Sequence, residues 1–130
     1  MKNFFYLLLV CLGCRVASAQ ETFPAIRLVP EDIVQDSVKQ VRWTTNHFAV
    51  KWTYTEVGAK KLLAFWGRHE GQKVCIQAGS FTCPPFVAPA SLDPVTHTDW
   101  RNDWFKRRTD KFMNVSEDDA KAIVAGLTGK

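Results

Sequence analysis

Lys51-Trp-Thr-Tyr-Thr-Glu-Val-Gly-Ala-Lys-Lys-Leu-Leu-Ala-Phe-Trp66, continued by Gly71-Gln-Lys-Val-Cys-Ile-Gln-Ala-Gly-Ser-Phe-Thr-Cys-Pro-Pro85, decides the fold. Phe48 to Tyr54 alternates with period two, so Phe48, Val50, Trp52 and Tyr54 share one face of a strand, with Lys51 and Thr53 on the other. Thr55 offers a hydroxyl to cap a helix. Ala59, Leu62, Leu63 and Trp66 recur at helical spacing as one apolar stripe, and Gly71 marks the helix end. Lys73 to Gln77 reads as the next strand. Strand, helix and strand with short joints predict a βαβ unit whose strands, 48–54 and 73–77, run parallel.

The flanks complete an α+β domain: a small mixed sheet containing the βαβ unit, with two main helices packed on one face. Upstream, Val41–Thr45 alternates and forms a hairpin with 48–54 around Asn46-His47. Pro30-Glu-Asp suits a helix start carrying Ile33, Val34 and Val38 on one face. Downstream, Ala78-Gly79 turns the chain into a strand over Ser80–Cys83, which Pro84-Pro85 ends because proline cannot donate to a ladder. Residues 84–110 form a long connection with a short helix near Trp100–Arg108. Lys111–Val115 is a last strand. Ser116 and Asp119 open a final helix with Ala120, Ile123, Val124 and Leu127 on its apolar face.

The N-terminus predicts export. Lys2, the apolar run Phe4–Leu12 and Ala17-Ser-Ala19 make a signal peptide over residues 1–19, leaving one domain over 20–130. The run is too short to span a bilayer. A lipid anchor at Cys14 is the minor alternative, with Cys11 standing where such signals carry leucine. Loss of Lys2 and Arg15 leaves 15 basic residues against 13 acidic ones, a net charge of +2. So weak an excess does not point to nucleic acid. In the periplasm or outside the cell, Cys75 and Cys83 are a candidate disulfide, with a pair of buried thiols as the alternative. A loop of three residues centred on Gly79 brings the two directly opposite each other, whereas one of two residues puts them on opposite faces.

Candidate chemistry is sparse. His47, His69 and His97 fall in a turn, at a helix end and in a loop, without ligand spacing, so neither metal nor cofactor is expected. Cys75 or Cys83 with His69 would make a thiol enzyme only if the thiols were free. Trp100, Trp104, Phe105, Arg107 and Arg108 form the candidate interaction surface, because aromatics and arginine dominate binding hot spots. The competing reading packs Trp100 and Trp104, four apart, onto the sheet and leaves the basic residues to solvent.

Thr55-x-x-Gly-Ala-Lys-Lys-Leu62, the strand at 73–77, the glycine turn followed by Pro84, and Ser116-Glu-Asp-Asp-Ala-Lys121 with Gly126 or Gly129 beyond it occur together and in order. Over residues 28–130 this arrangement resembles the first periplasmic head subdomain of SecD/SecDF, the accessory of bacterial protein export. The resemblance implies the head's fold and contact with polypeptide outside the membrane. It does not extend to the family's transmembrane helices and proton-relay acids. The family's Asp-Gly turn is Ala78-Gly79 here, and 86–110 departs from the pattern. The expected function is thus an exported, non-enzymatic protein- or peptide-interaction module of the cell envelope. A small secreted hydrolase or thiol enzyme and a structural envelope scaffold are the alternatives.

Overall fold

The computed structural model describes residues 22–130, so the signal-peptide segment and Cys14 lie outside the described residues. The first strand, β1 (Ala25–Leu28), turns Ile26 and Leu28 inward. Two single 3-10 turns follow, Pro30–Asp32 and Gln35–Ser37, where a helix was expected. Between them Ile33 bridges Tyr54, and the Val34 N–H donates to Thr53 O at 2.9 Å. The segment is thereby drawn out along a neighbouring strand, which stops it winding further. The expected hairpin forms between β2 (Lys39–Arg42) and β3 (Phe48–Thr53), but its turn is a five-residue loop, Trp43 to His47, in place of Asn46-His47, and Arg42 stands opposite Phe48. Phe48, Val50, Trp52 and Tyr54 are all buried.

Helix α1 (Glu56–Arg68) begins at Thr55, whose hydroxyl accepts the Gly58 N–H at 3.1 Å. Its buried stripe is Ala59, Leu62, Phe65 and Trp66. Strand β4 (Lys73–Ala78) follows, then β5 (Phe81–Thr82) and β6 (Phe86–Val87). Helix α2 (Arg101–Arg107) occupies the expected place in the long connection. Strand β7 (Thr109–Val115) leads into α3 (Glu117–Thr128), which is capped by Ser116 accepting the Asp119 N–H and ends at left-handed Gly129.

The described residues form an α+β domain with seven strands in two sheets. The first is mixed: β4 pairs with β1 in parallel, and with β5 and β6 antiparallel. β1, α1 and β4 make the βαβ unit. The expected partner of β4 was β3, and this pairing is not made. β3 is instead the centre of a second, antiparallel sheet, with β2 on one edge and β7 on the other. With both its edges occupied, β3 has no ladder left to offer β4. Helix α3 packs on β3 and β4, joining the two sheets, while α1 packs on β1 and α2.

The β4–β5 turn is Gly79-Ser80, one residue later than expected, with Ala78 opposite Phe81. Gly79 has φ +62, and a Cβ there would meet Ala122 O at 2.7 Å. Gly126 on α3 lies directly against Ala78 and Gly79. A Gly126→Ala change forces helix and turn apart and should cost about 1–3 kcal/mol in denaturant melts. Gly67→Ala, where an added Cβ meets nothing within 4 Å, should stabilise by about 0.5 kcal/mol through helix propensity.

Candidate functional site

The prolines that end β5 also shape the surface beside it. Cys83 lies opposite Ile76, its N–H donating to Ile76 O at 3.0 Å, and pairing resumes with Phe86 opposite Val74. Pro84 and Pro85 together therefore oppose Cys75, a bulge of one extra residue. The Ile76 N–H donates to Cys83 Sγ at 3.2 Å. The expected Cys75–Cys83 disulfide is absent: both cysteines are unpaired and buried. The physical reason is register. The two-residue turn puts Cys83 on the face of Ile76, and Cys75 projects to the other. Burial pushes the Cys83 thiol up, despite the opposing pull of the Ile76 N–H. A raised thiol is a poor nucleophile at neutral pH. His69 is engaged elsewhere, its Nδ1 3.1 Å from Gln72 Oε1 and its ring 4.8 Å from that of Phe65.

β6, the chain from Ala88 to Trp100, and α2 enclose an apolar groove of about 620 Å³. Its walls include Trp66, Val87, Pro89, Leu92, Trp100 and Trp104. Val87 is 58% and Leu92 49% exposed, so apolar surface faces solvent along it. A second hollow of about 390 Å³ shares Trp66, Val87 and Pro89 and continues to Cys83, Phe86 and Phe112. Edge-on ring contacts hold the walls: Trp66 with Phe86 at 5.6 Å and Trp100 with Trp104 at 6.5 Å.

Local hydrogen bonds order the loop of the groove. Asp93 Oδ1 accepts the N–H groups of Val95 and Thr96, and these hold its carboxyl below the usual range. Leu92 bridges Asp99. Arg101 grips Asp99 with two side-chain donors at 2.9 and 2.6 Å, which lowers the Asp99 pKa to about 2. The Trp100 indole N–H donates to Ala90 O at 2.6 Å and fixes that ring in the wall.

The five expected interaction residues divide. Trp100 and Trp104 line the groove, and Trp104 also reaches the core, its ring 5.7 Å from that of Tyr54. Phe105 packs against the core, with the Arg108 guanidinium 5.3 Å from its ring centre. Arg108 is left-handed at φ 52 and donates to the carbonyls of Tyr54 and Phe105, so it terminates α2 and ties it to β3. Arg107 faces solvent. Val87, Pro89 and Leu92 were not singled out from sequence. Scattered apolar residues in an irregular stretch carry no period, and only the fold lines them up. His47, His69 and His97 do not converge, and no group of three His, Cys, Asp or Glu among the described residues has metal-holding geometry.

Beneath Trp104 the buried Tyr54 phenol meets the half-buried Asp110 carboxylate. The Tyr54 hydroxyl donates to Asp110 Oδ2 at 3.0 Å, and the Lys111 N–H donates to Oδ1 at 2.9 Å. Burial raises the Asp110 carboxyl above its ordinary range, with those two donors and the Lys111 charge offsetting it. Burial, then the Asp110 charge, raise the Tyr54 phenol well above its own. The Trp52 Nε1 has no acceptor of hydrogen-bond geometry. Its N–H is still close enough to the Tyr54 oxygen to counter that shift in small part.

Comparison with known proteins found no family model, no curated protein and no solved structure that matches the chain.

Removing the Tyr54 hydroxyl leaves the half-buried Asp110 with one donor fewer. Tyr54→Phe should therefore cost about 1–3 kcal/mol at pH 7. With its folded pKa raised, Asp110 takes up its proton in the folded state first, so its burial penalty is present above that pKa and relieved as pH falls. The cost of Tyr54→Phe should accordingly shrink between pH 7 and pH 4, read from denaturant melts at each pH. Separately, alkylation of the unreduced protein should be slow when native. After denaturation, peptide mapping should find Cys75 and Cys83 each labelled.

Proposed function

We propose that this chain is an exported, non-enzymatic module that binds polypeptide in the cell envelope, of the type of the SecD periplasmic head. The observation that carries the reading is the apolar groove: an ordered, tryptophan- and proline-walled channel with Val87 and Leu92 open to solvent. Exposed apolar surface gathered in a concave site marks binding, whereas single exposed residues do not. The occupant that suits it is an extended segment with apolar side chains. The groove is a channel open to solvent, and it offers rigid aromatic walls with few polar groups. The order of elements supports the family likeness: β3, α1, β4, β5 and Pro84, then after the connection β7, α3 and Gly129. No helix among the described residues is long and apolar enough to cross a membrane. The raised thiol of Cys83 weighs against the thiol-enzyme alternative.

The probe is a permanently unfolded, carboxymethylated polypeptide, with binding followed by tryptophan fluorescence. Val87→Asp puts a charge in the wall at a position already exposed, and should weaken binding about tenfold or more, as for a hot-spot residue. Trp100→Ala should do the same, and Arg107→Ala, outside the groove, should change it by less than about twofold. Binding that ignores Val87→Asp while responding to Arg107→Ala would reject the groove.

A further inference from the structure

Three lysines stand side by side across the second sheet. Its register sets Lys39 on β2 opposite Lys51 on β3, and Lys51 opposite Lys111 on β7. Directly opposed residues project from the same face of a sheet. All three are exposed. The ion pairs among the described residues are Lys61–Asp32, Arg101–Asp99 and Lys121–Glu117, so none of the three is in one, and Lys111 alone feels a nearby acid, Asp110, through charge. Thr53 and Thr109 form the next cross-strand pair on that face. These five residues, with Ser37, line one hollow of about 480 Å³.

Lysine on an edge strand has an ordinary role, because its charge discourages pairing with another chain. That accounts for Lys39 and Lys111. It does not account for Lys51, which lies on the central strand with both ladders filled. Like charges set directly opposite each other weaken a sheet, so the middle lysine is costly to the free protein. The one acid lining the hollow, Asp110, is turned to the other face, with both oxygens taken by the Tyr54 hydroxyl and the Lys111 N–H.

We propose that the Lys39–Lys51–Lys111 row binds a compact polyanion of the phosphate-ester class, with Thr53 and Thr109 donating beside the ammonium groups. Adjacent strands lie about 4.8 Å apart, so the row spans about 10 Å between its outer backbones. That span matches two or three linked phosphates better than a lone carboxylate, which would neutralise one charge of three. Ammonium groups serve phosphate as compact point charges. The proposal is independent of the apolar groove, whose residues it does not use.

The test is calorimetric titration of the purified chain with sodium tripolyphosphate at low and moderate salt. Saturable one-to-one binding that weakens with salt is expected. Lys51→Gln should lower the affinity about tenfold or more, and Lys51→Arg should retain most of it. Lys60→Gln, on the exposed side of α1, should leave it within about twofold. Lys39→Gln, on the edge strand, gives the same reading as Lys51→Gln should the central substitution disturb folding by circular dichroism. Phosphatidylglycerol vesicles supply the same chemistry as a lipid surface. Binding to vesicles with none to tripolyphosphate overturns the site, as does the absence of saturable binding or an equal loss in Lys60→Gln.

Discussion

Asp32 is the charged side chain that the described fold buries, at 3% exposure, and the end of β1 and two parts of α1 close on it. Its carboxylate accepts the Val29 N–H at 3.0 Å and the Lys61 ammonium at 2.7 Å. Its carbonyl accepts the Thr55 N–H, and Gly58 packs directly on its backbone. The end of β1, the start of α1 and the middle of that helix are thereby held at one point. Losing one partner of a fully buried pair costs about 3–5 kcal/mol. Lys61 keeps 37% of its side chain exposed, so solvent screens part of that here. Glycine at 58 belongs to the same constraint, since no side chain fits between the helix and the Asp32 carbonyl.

The division into two sheets follows from that junction. Once the chain passes Asp32, Ile33 bridges Tyr54 and Val34 bonds Thr53, so the link between β1 and β2 is laid along β3. β3 then fills its edges with β2 and β7, and β4 returns through α1 to pair with β1. Helix α3 closes the layer by resting Gly126 on the Gly79 turn. The bulge at Pro84-Pro85 splits the return strand into β5 and β6, and β6 carries Val87 out to the groove wall. Trp104 meets both the wall and Tyr54, so the groove and the Tyr54–Asp110 pair share one support.

Much of the local structure was legible because it has local causes. The Thr55 and Ser116 caps, the stripes of α1 and α3 and the pairing of β2 with β3 each follow from a period or a capping hydroxyl. The failures share a different cause. The helix expected after Pro30 was drawn out by bonds to a strand some twenty residues later. The disulfide depended on a turn register that a one-residue shift reverses. The parallel partner of β4 depended on which edges other strands had already taken. In the candidate site, Trp100 and Trp104 could be picked out as aromatics in an irregular segment. Val87, Pro89 and Leu92 could not, because their meeting is produced by the path of the loop.

Sequence alone therefore determined the α+β class, the helices α1, α2 and α3, and the inward faces of Phe48 to Tyr54 and of α3. Those properties rest on side-chain periodicity and on hydroxyl, glycine and proline positions within a few residues of one another. Tertiary structure alone decided which strands are neighbours, that Cys75 and Cys83 face apart, and that Arg108 ties down a helix while Arg107 stays in solvent. It also decided that three lysines far apart in the chain stand in one row. Each of these depends on competition for a limited number of ladder edges and buried contacts, and that competition is resolved only when the whole chain has packed.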